Sequence, residues 1–139
     1  MTHGSGTLEH TADLGLWVEA DGLAELFESA PVVLAELMVS GPRQGEITWL
    51  PFQAQGEGLA ELLVGLLGEV VYLWDAESRL VVAARVRQIT NHHLEARLGV
   101  IPGDPDRHQA SEPVKAVTYH QARVAPHGRR WRGEVYLDL

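Results

Sequence analysis

The chain has 139 residues, a formal net charge of −8 and no cysteine. That length suits one domain able to bury about 68–70% of the surface an unfolded chain exposes, so a core needs neither metal nor disulfide. The missing cysteines exclude a disulfide framework, a thiolate zinc site and a cysteine nucleophile, and the acidic balance counts against a nucleic-acid backbone as main partner, which needs clustered Lys and Arg.

Met1-Thr2-His3-Gly4-Ser5-Gly6 carries neither a basic segment nor an apolar signal core, and no apolar run reaches the length of a membrane span. The expectation is a cytoplasmic protein with no membrane partner. Thr7, Glu9 and Thr11 alternate with Leu8 and His10, and Leu14, Leu16, Val18 and Ala20 alternate with Gly15, Trp17 and Glu19, which reads as two strands. Asp13 lies at the corner between them. Its carboxylate can close an Asx-type turn or serve as a ligand, and this stretch is compatible with both.

Leu23, Leu26, Phe27, Ala30, Val33, Leu34, Leu37 and Met38 recur at helical spacing, with Glu25, Glu28 and Glu36 on the wet side. Pro31 inside this pattern predicts a kink or an early break, and Ser40-Gly41-Pro42 predicts its end. Glu46 to Leu50 begins a strand in which Pro51 demands an edge position or a bulge. From Gly58 a second helix carries Leu59, Leu62, Leu63, Leu66, Leu67, Val70, Val71, Leu73 and Trp74 and is predicted to be the buried one. Gly65 and Gly68 each cost it about 1 kcal/mol relative to Ala, which suggests close approach of another element. Asp75-Ala76-Glu77-Ser78 reads as the exit turn.

Arg79 to Thr90 and His92 to Ile101 form a hairpin at Asn91, with Leu80, Val82, Ala84, Val86 and Gln88 on one side. Residues 102–110, rich in proline and polar groups, read as an irregular surface loop suited to contacts. A last hairpin runs from Val114 to Val124 and from Trp131 to Leu139 around Pro126-His127-Gly128. The sum is an α+β protein, one compact domain over residues 1–139, with mostly antiparallel or mixed sheet and two main helices.

In the final strand Trp131, Gly133, Val135, Leu137 and Leu139 share one face, and Arg132, Glu134, Tyr136 and Asp138 the other. A well-patterned strand ending on Asp138-Leu139 places a side-chain and a terminal carboxylate on adjacent residues. With Asp13 they form a candidate site for a hard divalent cation such as calcium, which takes six to eight oxygens. Without a cation such a cluster repels itself, by about 4 kcal/mol for two charges ~4 Å apart at an effective dielectric near 20. The alternative is that the three never meet.

His92 and His93 are adjacent in a strand and point to opposite faces, and His3 and His127 read as exposed. His108 and His120 are the better candidates for chemistry, although a lone histidine is more often a hydrogen-bonded structural residue. There is no H-E-x-x-H, Walker-type, G-x-G-x-x-G or G-x-S-x-G motif, which leaves hydrolase and nucleotide chemistry without support. Arg129-Arg130-Trp131-Arg132 could touch RNA; the plainer reading is a charged strand edge.

Glu9-His10-Thr11-Ala12-Asp13, Val114-Lys115-Ala116-Val117-Thr118-Tyr119-His120 and Val135-Tyr136-Leu137-Asp138-Leu139 closely resemble the archease family. The Leu26-Phe27 helix, Leu62-Leu63-Val64 through Tyr72-Leu73 and Asp104-Pro105-Asp106-Arg107-His108 fit the same order and spacing, so nearly the whole chain takes part. The resemblance implies a small α+β protein, itself not an enzyme, that partners an RtcB-type RNA ligase. It would promote ligase guanylylation and multiple turnover in tRNA splicing or RNA repair, with RNA contacted indirectly through the ligase. It also implies a divalent metal, most often calcium, held by Asp13, Asp138 and the terminal carboxylate of Leu139. It marks His10, Thr11, Lys115, Tyr119 and His120 as candidates for supporting those ligands or touching the partner. Leu66 and Gly68 replace the Trp and Asn usual in the family, and Pro31 falls where its helix continues. A competing expectation is a chaperone-like modulator of tRNA-modifying enzymes such as tRNA methyltransferases.

Overall fold

Two antiparallel sheets share one apolar core with a pair of helices. The computed structural model describes residues 3–9 and 13–139, with the side chains of His3, Leu8, Glu9 and Asp13 outside the description. In chain order the elements are β1 (His3–Glu9), β2 (Asp13–Ala20), α1 (Leu23–Met38), β3 (Val39–Ser40), β4 (Thr48–Gln55), α2 (Leu59–Glu77), β5 (Arg79–Ile89), β6 (His93–Pro102), β7 (Gln109–Ala110), β8 (Ala116–His127) and β9 (Arg130–Asp138). The larger sheet has the order β1-β2-β9-β8, the smaller β4-β6-β5, and β3 pairs with β7. Every pairing is antiparallel. The α+β architecture is therefore the one the sequence pattern predicts.

Alternation fixes which face of each strand turns inward. Leu16, Val18 and Ala20 of β2 and Val135 and Leu137 of β9 are buried, as are Leu94, Ala96, Leu98 and Val100 of β6. The helices meet both sheets: α1 lies along β5 and β2, and α2 along β8 and β5. Leu26 of α1 and Leu63 of α2 both reach Gly133 on the inner face of β9. That strand is the seam of the core.

Local expectations fail in five places, each for a physical reason. Helix α1 does not break early but continues to Met38 through a buried Pro31. Proline costs a helix interior about 3 kcal/mol, and the burial of Leu26, Phe27, Ala30 and Leu34 on the same helix outweighs it. Arg43, beyond the helix, donates to the carbonyls of Ala35 and Val39 and satisfies part of its C-terminal end. Gly65 and Gly68 have no neighbour within 4 Å of where a Cβ would sit, so neither admits a close partner.

Helix α2 continues through Glu77 and stops at Ser78, whose left-handed backbone (φ 52°) sends its N–H to Leu73 and Trp74. In β5 the ladder slips between Val81 and Ala83 and again between Val86 and Gln88. The buried residues there are Leu80, Val81 and Ala84, not the strictly alternating set. The last hairpin is longer than its sequence pattern, pairing Pro126 with Trp131 and His127 with Arg130, so the turn itself is Gly128-Arg129. Pro51 does lie on an edge strand, β4, opposite Arg97.

Candidate metal centre

Strand register brings the two ends of the sequence together. The β2–β9 ladder pairs Leu16 with Val135 and Leu14 with Leu137, and its last step sets Asp13 opposite Asp138. The alternation of apolar residues on both strands specifies this register, because a one-residue slip would turn Val135 and Leu137 out to solvent. On its other side Asp138 is opposite Ala116 of β8, and its carbonyl accepts a hydrogen bond from the Lys115 N–H at 2.7 Å. Asp138 is thus anchored from both neighbours at the end of an interior strand.

Asp138 and Leu139 are both exposed, Leu139 to 38%. Asp138 forms no ion pair with a described residue. Like charges directly opposite in an antiparallel pair destabilise it, and directly opposite Cβ atoms lie about 4.5–5.5 Å apart. A hard cation with oxygen ligands fits such a pair of carboxylates. Among the described residues no group of three or more acidic or histidine side chains is placed to hold a metal. The Asp13 side chain lies outside that description, as do His10 and Thr11.

Of the remaining candidates, Lys115 is exposed beside Asp138 and contributes the backbone bond already noted. Tyr119 and His120 do not join this row. Residues Thr118 and Arg123 of β8 pair with Tyr136 and Glu134, so β8 carries three more residues than its partner over that interval. The excess bulges outward, Gln121 adopts a left-handed backbone (φ 63°), and Tyr119 is left 59% exposed. Tyr119 lies three residues beyond Ala116 on β8, and three residues of strand span about 10 Å.

The opposite end of the same sheet treats acids differently. Arg132 donates to Glu134 at 2.8 Å and to Glu19 at 3.1 Å, and its guanidinium lies 4.6 Å from the centre of the Trp17 ring. Burial works against the charge of Arg132, but the hydrogen bonds and attraction of Glu134 and Glu19 prevail and raise its pKa above the ordinary value. Arg130 adds ion pairs to Glu19 and Asp21. Trp17 needs the glycines of β1: a Cβ on Gly6 would come 2.6 Å from its indole nitrogen. Arg130 and Arg132 of the Arg129-Arg130-Trp131-Arg132 run are therefore not an edge device, because β9 is interior and both are committed to carboxylates of the chain.

His108 is a structural residue. It is buried, its Nδ1 accepts the Asp104 N–H at 2.9 Å, and Nε2 lies 2.7 Å from the Pro42 carbonyl. Since Nδ1 is an acceptor, the proton sits on Nε2 and is donated to Pro42. The ring cross-links the 102–110 loop to the segment after α1. The sequence offered no sign of this, because both partners are backbone groups and Pro42 is distant along the chain.

A model of the archease protein family (MTH1598/TM1083) matches residues 6–139. The archease of Pyrococcus furiosus is 31% identical over 136 residues, spanning 94% of this chain and 95% of that protein. The archease of Methanopyrus kandleri is 32% identical over 135 residues, with 95% of this chain and 96% of that protein covered. The solution structure of Methanobacterium thermoautotrophicum protein 1598 has a similar fold, with a TM-score of 0.68 at 24% identity over 98% of this chain and 99% of that one. The crystal structure of Thermotoga maritima TM1083, described as an archease and possible chaperone, gives 0.59 at 17% identity over 95% and 94%.

Proposed function

The chain belongs to the archease protein family, and on that premise we propose that it is a non-catalytic activator of an RtcB-type RNA ligase, working in the cytoplasm in tRNA splicing or RNA repair. The observation that carries this reading is the register of Asp13 against Asp138, with no basic side chain of the described residues paired to Asp138. Asp13, Asp138 and the Leu139 carboxylate would hold a divalent cation, calcium first. The cation would supply neutralisation of the opposed charges and a coordination point for a group of the ligase.

The chain's own residues supply position. Lys115 and Ala116 on one side and Asp13 on the other hold Asp138 in place, so the acidic group meets a partner with little ordering cost. His10, Thr11, Tyr119 and His120 are the proposed contacts around it, with Tyr119 and His120 carried outward by the β8 bulge. At this acidic end of the sheet RNA would be reached through the ligase.

The test is multiple-turnover RNA joining at substoichiometric ligase, with wild-type protein, with Asp13→Ala, with Asp138→Asn, and with neither. Stimulation by wild type alone is expected. Equal stimulation by all three proteins would discard the acidic site, and stimulation by none would discard the activator role.

A second reading is favoured by the exposure of Ile47, Tyr72 and Tyr119. As a chaperone-like modulator of tRNA-modifying enzymes such as methyltransferases, the protein would act through apolar surface. The description of the Thermotoga relative as a possible chaperone is in keeping with it. Asp138→Asn would leave that activity intact.

A further inference from the structure

On the solvent face of the smaller sheet, Arg85 of β5 and Arg97 of β6 stand directly opposite each other, and Pro51 of β4 completes the row. Like charges in that position repel. Neither arginine forms an ion pair with a described residue, in contrast to Arg130 and Arg132. Their guanidinium carbons lie 5.7 and 5.3 Å from the centre of the Trp49 ring. The indole reaches them by crossing β6 at Gly99, where a Cβ would sit 3.1 Å from the ring.

Arg87 joins them. It is the residue left out of register by the second slip in β5, and its side chain is 83% exposed, touching Glu95 at 3.6 Å. Pro51, Gln53, Arg85, Arg87, Glu95 and Arg97 line a groove of about 610 Å³. That volume falls within the range of small-ligand sites, roughly 300–1,000 Å³. Three of the chain's eleven basic residues therefore gather on one open face beside a tryptophan, in a protein of net charge −8.

We propose that the Trp49–Arg85–Arg97 face binds a segment of single-stranded nucleic acid, separately from the acidic end of the larger sheet. Phosphates relieve the repulsion between the opposed guanidiniums, and an unstacked base finds guanidinium planes, themselves held against the Trp49 ring, to stack on. A duplex keeps its bases from such a surface. An acidic peptide offers the charge but no planar group for the centre of the site. Gln53 donates to Glu95 at 3.4 Å, so these two groups are turned to each other and recognition is tolerant of sequence.

The test is fluorescence anisotropy of a short labelled oligouridylate with the full chain alone, without ligase, across a salt titration. Wild-type protein is expected to bind, with unlabelled duplex RNA, uridine monophosphate and polyglutamate competing at least tenfold more weakly. Arg85→Gln/Arg97→Gln should weaken binding about tenfold or more, and lower the salt slope by about 1.4, at roughly 0.7 per lost phosphate contact on a single strand. Because those substitutions remove a like-charge pair, the double variant should melt no lower than wild type. Trp49→Phe should keep most of the affinity, and Asp138→Asn all of it. No binding by wild type, or unchanged binding by the arginine double variant, would overturn the assignment. Equal competition by polyglutamate would give the face to an acidic protein, equal competition by uridine monophosphate to a free nucleotide, and either would also overturn it.

Discussion

Asp13, the first residue of β2, lies directly opposite Asp138, the last residue of β9, in the same antiparallel ladder. If the repulsion in this pair is relieved only by a cation, its energetics must depend on the metal. In chelator, Asp138→Asn should be more stable than wild type by a few tenths to about 1 kcal/mol. Saturating calcium should raise the melting temperature of wild type by several degrees and leave that of Asp138→Asn unchanged. Thermal unfolding of both proteins in EDTA and in calcium measures this, and an equal calcium shift in the two would remove Asp138 from the site.

Arg132→Met should cost about 2 kcal/mol, the scale of hydrogen bonds to charged groups, since it leaves Glu19 and Glu134 without their shared partner. The raised Arg132 pKa gives the sign of the pH dependence. A group whose folded-state pKa is raised contributes fully below its unfolded value, and for a guanidinium that is the whole neutral range. The difference between variant and wild type in urea unfolding should therefore be the same at pH 6 and pH 9.

Gly6→Ala should destabilise by about 1–3 kcal/mol, because the new methyl meets a rigid indole and not a flexible chain end. The cause is testable by a double-mutant cycle. Combined with Trp17→Val the cost should fall well below the sum of the two, whereas additive effects would place the strain in the β1 backbone.

His108→Phe should cost about 2–6 kcal/mol by stranding the Asp104 N–H and the Pro42 carbonyl, each left unpaired at about 1–3 kcal/mol. Joining activity in the presence of ligase should be unchanged under conditions where the variant is folded. A loss of stimulation without a loss of stability would instead make His108 a functional residue.

Much of the architecture was legible from patterning. The alternation of Gly133, Val135 and Leu137 and that of Leu16, Val18 and Ala20 sufficed to predict two half-buried strands, and Pro51 narrowed its strand to an edge or a bulge. Their pairing was not legible, because nothing local in Asp13 or Asp138 says that β2 and β9 are neighbours. The slips in β5 and the bulge after Thr118 were hidden for a related reason, since a strand's faces are set by its partner's length as well as its own pattern. Arg85, Arg97 and Trp49 look like unrelated surface residues until register stacks three strands and sets them side by side. The Arg129-Arg130-Trp131-Arg132 run misled in the opposite sense: clustered in sequence, the charges of Arg130 and Arg132 are spent on Glu19, Asp21 and Glu134 once folded.

The placement of β9 between β2 and β8 has a bearing on proteostasis. A chain truncated after β8 would lack the middle of its larger sheet and not its rim, and β2 and β8 would each present a row of bare backbone donors and acceptors. Such rows recruit strands from other molecules, so shortened products should aggregate in preference to lingering as weakened monomers. The contacts that β9 makes with β2 also join distant parts of the sequence, so the larger sheet is expected to close late in folding.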